Sequence, residues 1–339
     1  MTPSAPSAPA LLVVGHGTRD DGGADAFRSF VHDLGARHLP DVPVAGGFIE
    51  LSPPPLTEAV AGLVERGVRR FAAVPLMLVA AGHAKGDIPA ALAREKLRQP
   101  GVSFAYGRPL GPHPSLLSVL ERRGGGGRGG AGGGGAVSYT LRSAPAGDGC
   151  TIRGRARVRP GAQARTNRRR GGRGSTDPDA NAEGFKAARL LWEGRGYAGV
   201  ETAFVSLAAP DVAAGLDRCR ALGARRVVVL PYFLFTGVLP ERVREQARAW
   251  AADRPETDVR CADVIGPTDE LAALVLARYR EAIEGDIRMN CDACVYRVTL
   301  PGFEDKVGAP QQPHHHPDDD GHHHGHGHHH HEHGHVHAH

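Results

Sequence analysis

Long apolar runs are absent from this 339-residue chain, and nothing approaches the roughly 20 residues of a membrane-spanning helix. Cysteine is sparse: five residues in a chain of this length do not make a disulfide scaffold, so a reducing cytosol is expected. The opening MTPSAPSAPA has no basic segment, and the apolar run after it is too short for a secretory signal. A soluble, cytoplasmic protein with no membrane partner is therefore expected. Aromatic residues make up only 5% of the sequence, so any core must be built mainly from Leu, Val and Ala. With 41% hydrophobic residues the chain has enough apolar material for a large core and for two domains.

Positive charge is unevenly placed. Ten Arg, no Lys and one acid (Asp148) lie between Gly124 and Gly172, a local charge of +9. The whole chain carries +4, so the remainder carries 4 − 9 = −5. A nucleic-acid surface would be spread over folded elements and interleaved with aromatics, whereas this Gly/Arg run holds a single Tyr. The run reads as a solvated, disordered segment, and no nucleic-acid partner is expected.

What the chain does contain is an internal repeat. GFIELSPPPLTEAVAGLVERGVRRFAAVPLMLVAAGH (47–83) aligns with AFVSLAAPDVAAGLDRCRALGARRVVVLPYFLFTGVL (203–239) at an offset of 156 residues. Each copy reads strand, Pro-punctuated turn, amphipathic helix, Arg-Arg, buried strand. VSFAYGRPLGPHPSLLSVLERR (102–123) aligns likewise with VRCADVIGPTDELAALVLARYR (259–280), and LLVVGHGTRD near the N-terminus with GGRGSTD (171–177). Continuous apolar strands alternating with helices predict an α/β fold: two similar lobes, each a parallel sheet with helices on both faces, and a ligand cleft between them at the strand ends. The expected divisions are a disordered N-terminus (1–9), a first lobe (10–123), the Gly/Arg segment (124–171), a degenerate second lobe (172–284), a CxxC segment (285–308) and a disordered His-rich tail (309–339).

Three polar residues of the first copy stand where buried strands end: His16 after LLVVG, Glu50 after GGFI and His83 after VPLMLVAAG. Converging on one sheet edge, two imidazoles and a carboxylate suit a borderline divalent ion such as Co²⁺, Fe²⁺ or Zn²⁺. The second copy has Arg173, Ser206 and Val238 or Leu239 at these positions. That is the pattern expected when one lobe carries chemistry and its duplicate keeps only the shape.

VVGHGTRD, GFIELSPPPL and PLMLVAAGHAKGDIP together resemble the CbiX-type sirohydrochlorin chelatases over residues 11–123 and 172–307. The resemblance implies a lyase-class enzyme that inserts Co²⁺ into sirohydrochlorin for cobalamin, or Fe²⁺ for sirohaem. It implies His16, Glu50 and His83 as catalytic residues, with His16 and His83 on the metal. A neutral imidazole can ligate the ion or accept a pyrrole proton, and Glu50 can orient a histidine or pass a proton on. Sirohydrochlorin carries eight carboxylates, so Arg19, Lys85 and Arg108 in or near the strand-end loops are expected to bind it, while His113 is expected to cap or pack the last helix rather than touch metal. A metal-storage or delivery protein is the rival reading, against which the three retained residues argue.

Downstream, MNCDAC (289–294) offers Cys291 and Cys294. Long members of the resembled family include ones with an iron–sulfur cluster at such a segment, and two chains giving a pair each would complete four thiolates and imply a homodimer. Cys219 and Cys261 read as small core residues. Residues 314–339 hold 15 of the 20 His, a composition suited to a loose metal reservoir that tilts the reading toward cobalt. By the repeat, a strand like LLVV should occupy about 168–171, where the sequence is RRRG. A compensated frameshift in a GC-rich gene would produce such a run, an ordinary insertion being the alternative. On either account the second sheet is expected to have a gap.

Overall fold

The computed structural model describes residues 8–125, 141–143, 177–192, 197–285 and 305. Cys291, Cys294, Arg173 and the His-rich tail lie outside them, and none of the described helices is long and apolar enough to cross a membrane.

The first lobe is built on β1 (Ala10–Gly15), β2 (Val44–Phe48), β3 (Arg70–Pro75) and β4 (Ser103–Tyr106), with α1 (Asp21–Asp33), α2 (Leu56–Glu65), α3 (Ile88–Arg98) and α4 (Pro114–Arg123) between and after them. The strands are parallel in the order β2-β1-β3-β4. Central β1 is buried along its whole length, which its sequence ALLVVG requires of a strand covered on both faces. Its side chains alternate: Leu12 and Val14 pack with Val60 and Leu63 of α2 and Ile88 and Leu92 of α3, whereas Leu11 and Val13 face the opposite core with Phe27, Phe30 and Val31 of α1. Asp20 caps α1 by accepting from the Gly23 N–H, and His113 caps α4 by accepting from the Ser115 N–H, as expected for it.

The second lobe holds β5 (Leu141–Ser143), α5 (Pro178–Trp192), β6 (Gly199–Glu201), α6 (Val212–Ala221), β7 (Arg226–Val229), α7 (Val238–Ala252), β8 (Asp258–Cys261) and α8 (Asp269–Glu284). Its sheet order, β6-β5-β7-β8, repeats that of the first. The duplication extends to detail. Phe48 bridges Pro55 and Phe204 bridges Asp211, and Leu51 and Leu207 both take positive φ, each pair 156 residues apart.

One expectation is overturned here. The second sheet has no gap, because β5 occupies the place that β1 holds in the first. It comes from within the Gly/Arg segment, is only three residues long and runs antiparallel to both neighbours, so this sheet is mixed. An antiparallel strand meets the same backbone donors and acceptors as a parallel one, and here it replaces the missing copy without restoring its direction.

The lobes are not independent bodies. Val227 and Val229 of β7 face their own outer core with α6 and α7, but Val228 and Leu230 join Leu11, Val13, α1, α4, α5 and α8 in a single central core between the sheets. The last helices of the two copies cross over. α8 packs on β3 and is tied to the first lobe by Arg278, which donates to the carbonyls of Pro109 and Leu110, and by Tyr279, which donates to that of Pro9. At the end of α4, Arg123 in turn donates to the Ile265 carbonyl of the second lobe.

Candidate metal centre

At the carboxyl edge of the first sheet the ladder continues past the strand ends. Ile49 N–H donates to Gly15 O and Glu50 N–H to His16 O, which fixes the loop after β2 beside the loop after β1. Gly17 sits between them at φ +107°, and a Cβ there would lie 1.8 Å from the Glu50 carbonyl oxygen. The second glycine of GHG is thus required by this close approach. Ser52 locks the same corner, its Oγ accepting from Thr18 N–H and donating to Thr18 O.

His83 opens a wide helical turn, His83–Asp87, that leads into α3. His16 Nε2 lies 3.0 Å from His83 Nε2 and 3.3 Å from Glu50 Oε1, and one ligand atom from each of the three residues falls within 4.8 Å of the others. Ligands about 2.1 Å from a shared ion are separated by about 3.0–3.4 Å, so the spacings of His16 to His83 and of His16 to Glu50 match neighbouring donors on one ion. Among the described residues this is the one cluster of its kind.

The outer nitrogens fix how the rings are used. His83 Nδ1 is 2.6 Å from Asp87 Oδ2, and His16 Nδ1 is 3.0 Å from Gly17 O. A carboxylate and a carbonyl only accept, so each Nδ1 carries the hydrogen and each Nε2 presents a lone pair. Two lone pairs facing at 3.0 Å repel unless a proton or a cation lies between them. Burial, with the neighbouring His16, holds the His83 imidazole below its ordinary pKa of 6.5 despite the opposing pull of Asp87, which favours the neutral ring that can ligate.

The cluster opens into a cleft of about 540 Å³ walled by both lobes. Phe27, Phe48 and Leu51 line one side and Phe204, Phe233 and Phe235 the other, so the walls suit a flat conjugated ring system. Arg19 lines this cleft from an exposed position. The other two expected cations do not line it. The Lys85 side chain, 6% exposed, turns to the lobe interface and donates to Asp177 and Asp179. Arg108 makes a two-pronged bond to Glu281 of α8. A cation in a strand-end loop was satisfied in both cases by the opposite lobe instead of by the cleft.

Sequence reasoning missed two features. Asp87 was signalled by its place four residues after His83, in HAKGD, and the aromatic wall of the second lobe by its alignment with the first lobe's strand ends. Ser206, opposite Glu50 in the repeat, does not line the cleft.

The family model described as CbiX matches residues 10–124 and 171–282, about two thirds of the sequence. This chain belongs to the CbiX family. Its CbiX halves flank the Gly/Arg segment and leave 125–170 unmatched. A sirohydrochlorin cobaltochelatase of Priestia megaterium is 36% identical over 86% of this chain and 85% of the relative. A sirohydrochlorin ferrochelatase from the same organism is 29% identical over 78% of this chain and 87% of its own length. Among solved structures, SirB from Bacillus subtilis with Fe³⁺ superposes with a TM-score of 0.63 at 25% identity, covering 82% of this CbiX chain and 97% of that one.

Proposed function

We propose that this protein is a sirohydrochlorin cobaltochelatase, with Co²⁺ and sirohydrochlorin as its two substrates. The observation that carries the reading is the convergence of His16, Glu50 and His83 at the mouth of an aromatic-walled cleft, in a chain 36% identical to a cobaltochelatase. Insertion exchanges two pyrrole N–H protons for one divalent ion, so the site must hold Co²⁺, strip part of its water and remove two protons. The Nε2 atoms of His16 and His83 bind the ion from one side, leaving its other positions open to the macrocycle nitrogens. Glu50, beside His16 and half exposed, takes protons from the site toward solvent. Arg19 at the rim attracts the substrate's carboxylates.

Iron insertion is the second reading, favoured by the likeness to a ferrochelatase and to an Fe³⁺-bound structure. Incubation of the purified protein with sirohydrochlorin and Co²⁺ or Fe²⁺, followed by absorbance, tests both. Faster insertion of Co²⁺ is expected, and His16→Ala and His83→Ala should each lower the rate by at least about 100-fold. Variants that keep most of the wild-type rate would overturn the site. Cys291 and Cys294 supply two thiolates per chain, so an iron–sulfur centre there belongs to this reading only as one shared between two chains; analysis for iron and acid-labile sulfide decides it.

A further inference from the structure

The segment that carries His83 is gripped from the other lobe. Ala80 N–H donates to Glu183 Oε2 at 3.0 Å, and Lys85 Nζ donates to Asp177 Oδ2 at 2.6 Å and Asp179 Oδ2 at 3.0 Å. The side chains of Lys85, Asp177 and Asp179 are 6%, 2% and 7% exposed. All three acids sit on α5 or immediately before it. One buried cation faces two buried carboxylates, and the start of α5 supplies part of the balance, with Asp177 Oδ1 accepting from the Asp179 N–H. Burying three charges is an expensive way to hold two lobes that already share an apolar core. What such a network supplies is one fixed arrangement.

The repeat provides a comparison within the same molecule. Ala80 corresponds to Thr236, and Asp177 to Asp20. The equivalent contact of the second lobe's loop with the start of α1 is a bare backbone approach: a Cβ on Gly23 would lie 2.5 Å from the Thr236 carbonyl oxygen. Asp20 there caps its own helix. The charged version occurs on the side that carries His83.

We propose that Asp177, Asp179 and Glu183 are positioning residues: through Lys85 and Ala80 they lock the His83–Asp87 turn and keep His83 Nε2 facing His16. The degenerate lobe would then serve the centre without contributing a ligand to it. This inference rests on the metal role of His83 proposed above.

Lys85→Met combined with Asp177→Asn and Asp179→Asn removes the clasp without stranding a buried charge. In full-length protein this variant should bind Co²⁺ at least tenfold more weakly, read from the visible spectrum of Co²⁺ without sirohydrochlorin. The His83 Nδ1 proton shared with Asp87, assigned through Asp87→Asn, should also lose its downfield proton NMR signal to exchange in the metal-free protein. Lys85→Arg should retain both properties. Leu120→Ala, a cavity in the shared core on α4, should lower the melting temperature and leave both unchanged, which separates positioning from general loosening. Glu183→Leu removes only the Ala80 contact and decides the matter if the triple variant does not fold; weaker Co²⁺ binding and a lost signal are again expected. An NMR signal retained in whichever of these variants folds overturns the proposal. A wild-type chain that shows the signal but binds no Co²⁺ overturns the metal reading alone.

Discussion

Asp87 is the residue on which the behaviour of His83 turns. Its carboxylate takes the Nδ1 hydrogen at 2.6 Å, and so leaves Nε2 as the donor atom toward a metal. Asp87→Asn keeps the size but can present an amide hydrogen to Nδ1, favouring the wrong tautomer; Co²⁺ affinity should fall about 10- to 100-fold, measured by spectral titration. The lowered pKa of His83 gives a pH signature. As pH falls below 6.5 the unfolded chain takes up a proton at this position before the folded one does. The stability linked to His83 is therefore fully present above 6.5 and declines as pH drops toward the folded pKa. Protonation of His83 itself, followed by NMR in the metal-free protein, should have its midpoint below 6.5, and a midpoint at or above 6.5 would contradict this. His16 and Glu50 were legible in the sequence because each stands just past a strand end and strand ends share an edge, whereas His83 lies eight residues beyond the end of β3 and reaches that edge from a helical turn. Lys85 was misjudged because a cation in such a loop has two directions open to it, and only the packing of α5 decides between them.

At the scale of elements, the corner made by the loops after β1 and β2 depends on Gly17. Gly17→Ala must overcome both φ +107° and a 1.8 Å clash with the Glu50 carbonyl. A loss of about 3 kcal/mol or more is expected in denaturant unfolding, with insertion activity falling further as Glu50 is displaced. Loss below about 1 kcal/mol would mean that the corner yields easily. The parallel strands and amphipathic helices of both lobes were legible because their periods repeat at a fixed offset. β5 was not, since Leu141–Ser143 sits in a run without periodicity. The frameshift and insertion readings of the Gly/Arg segment differ in what the gene encodes before Gly172. Resequencing the gene should return an apolar run like LLVV just before Gly172; an unchanged frame would leave an insertion as the explanation.

For the whole molecule, the crossing of α4 and α8 sets the order in which the protein can be finished. The central core beside the first lobe is closed by Leu271, Leu274, Val275 and Tyr279, which lie within the last described helix. On the ribosome the N-terminal half emerges first, yet it cannot seal its apolar face until residue 284 is out of the exit tunnel. A chain arrested before Asp269 should therefore be captured by chaperones and readily cleaved by protease within β1–β4, and release of α8 should end that sensitivity. Supplied as two separate polypeptides divided within 126–140, the halves should bind each other, because each lacks a surface that only the other provides. The half that would perform the chemistry is thus completed by the half that would not, and α8, the last of the described helices, acts as the signal that the first is ready for metal.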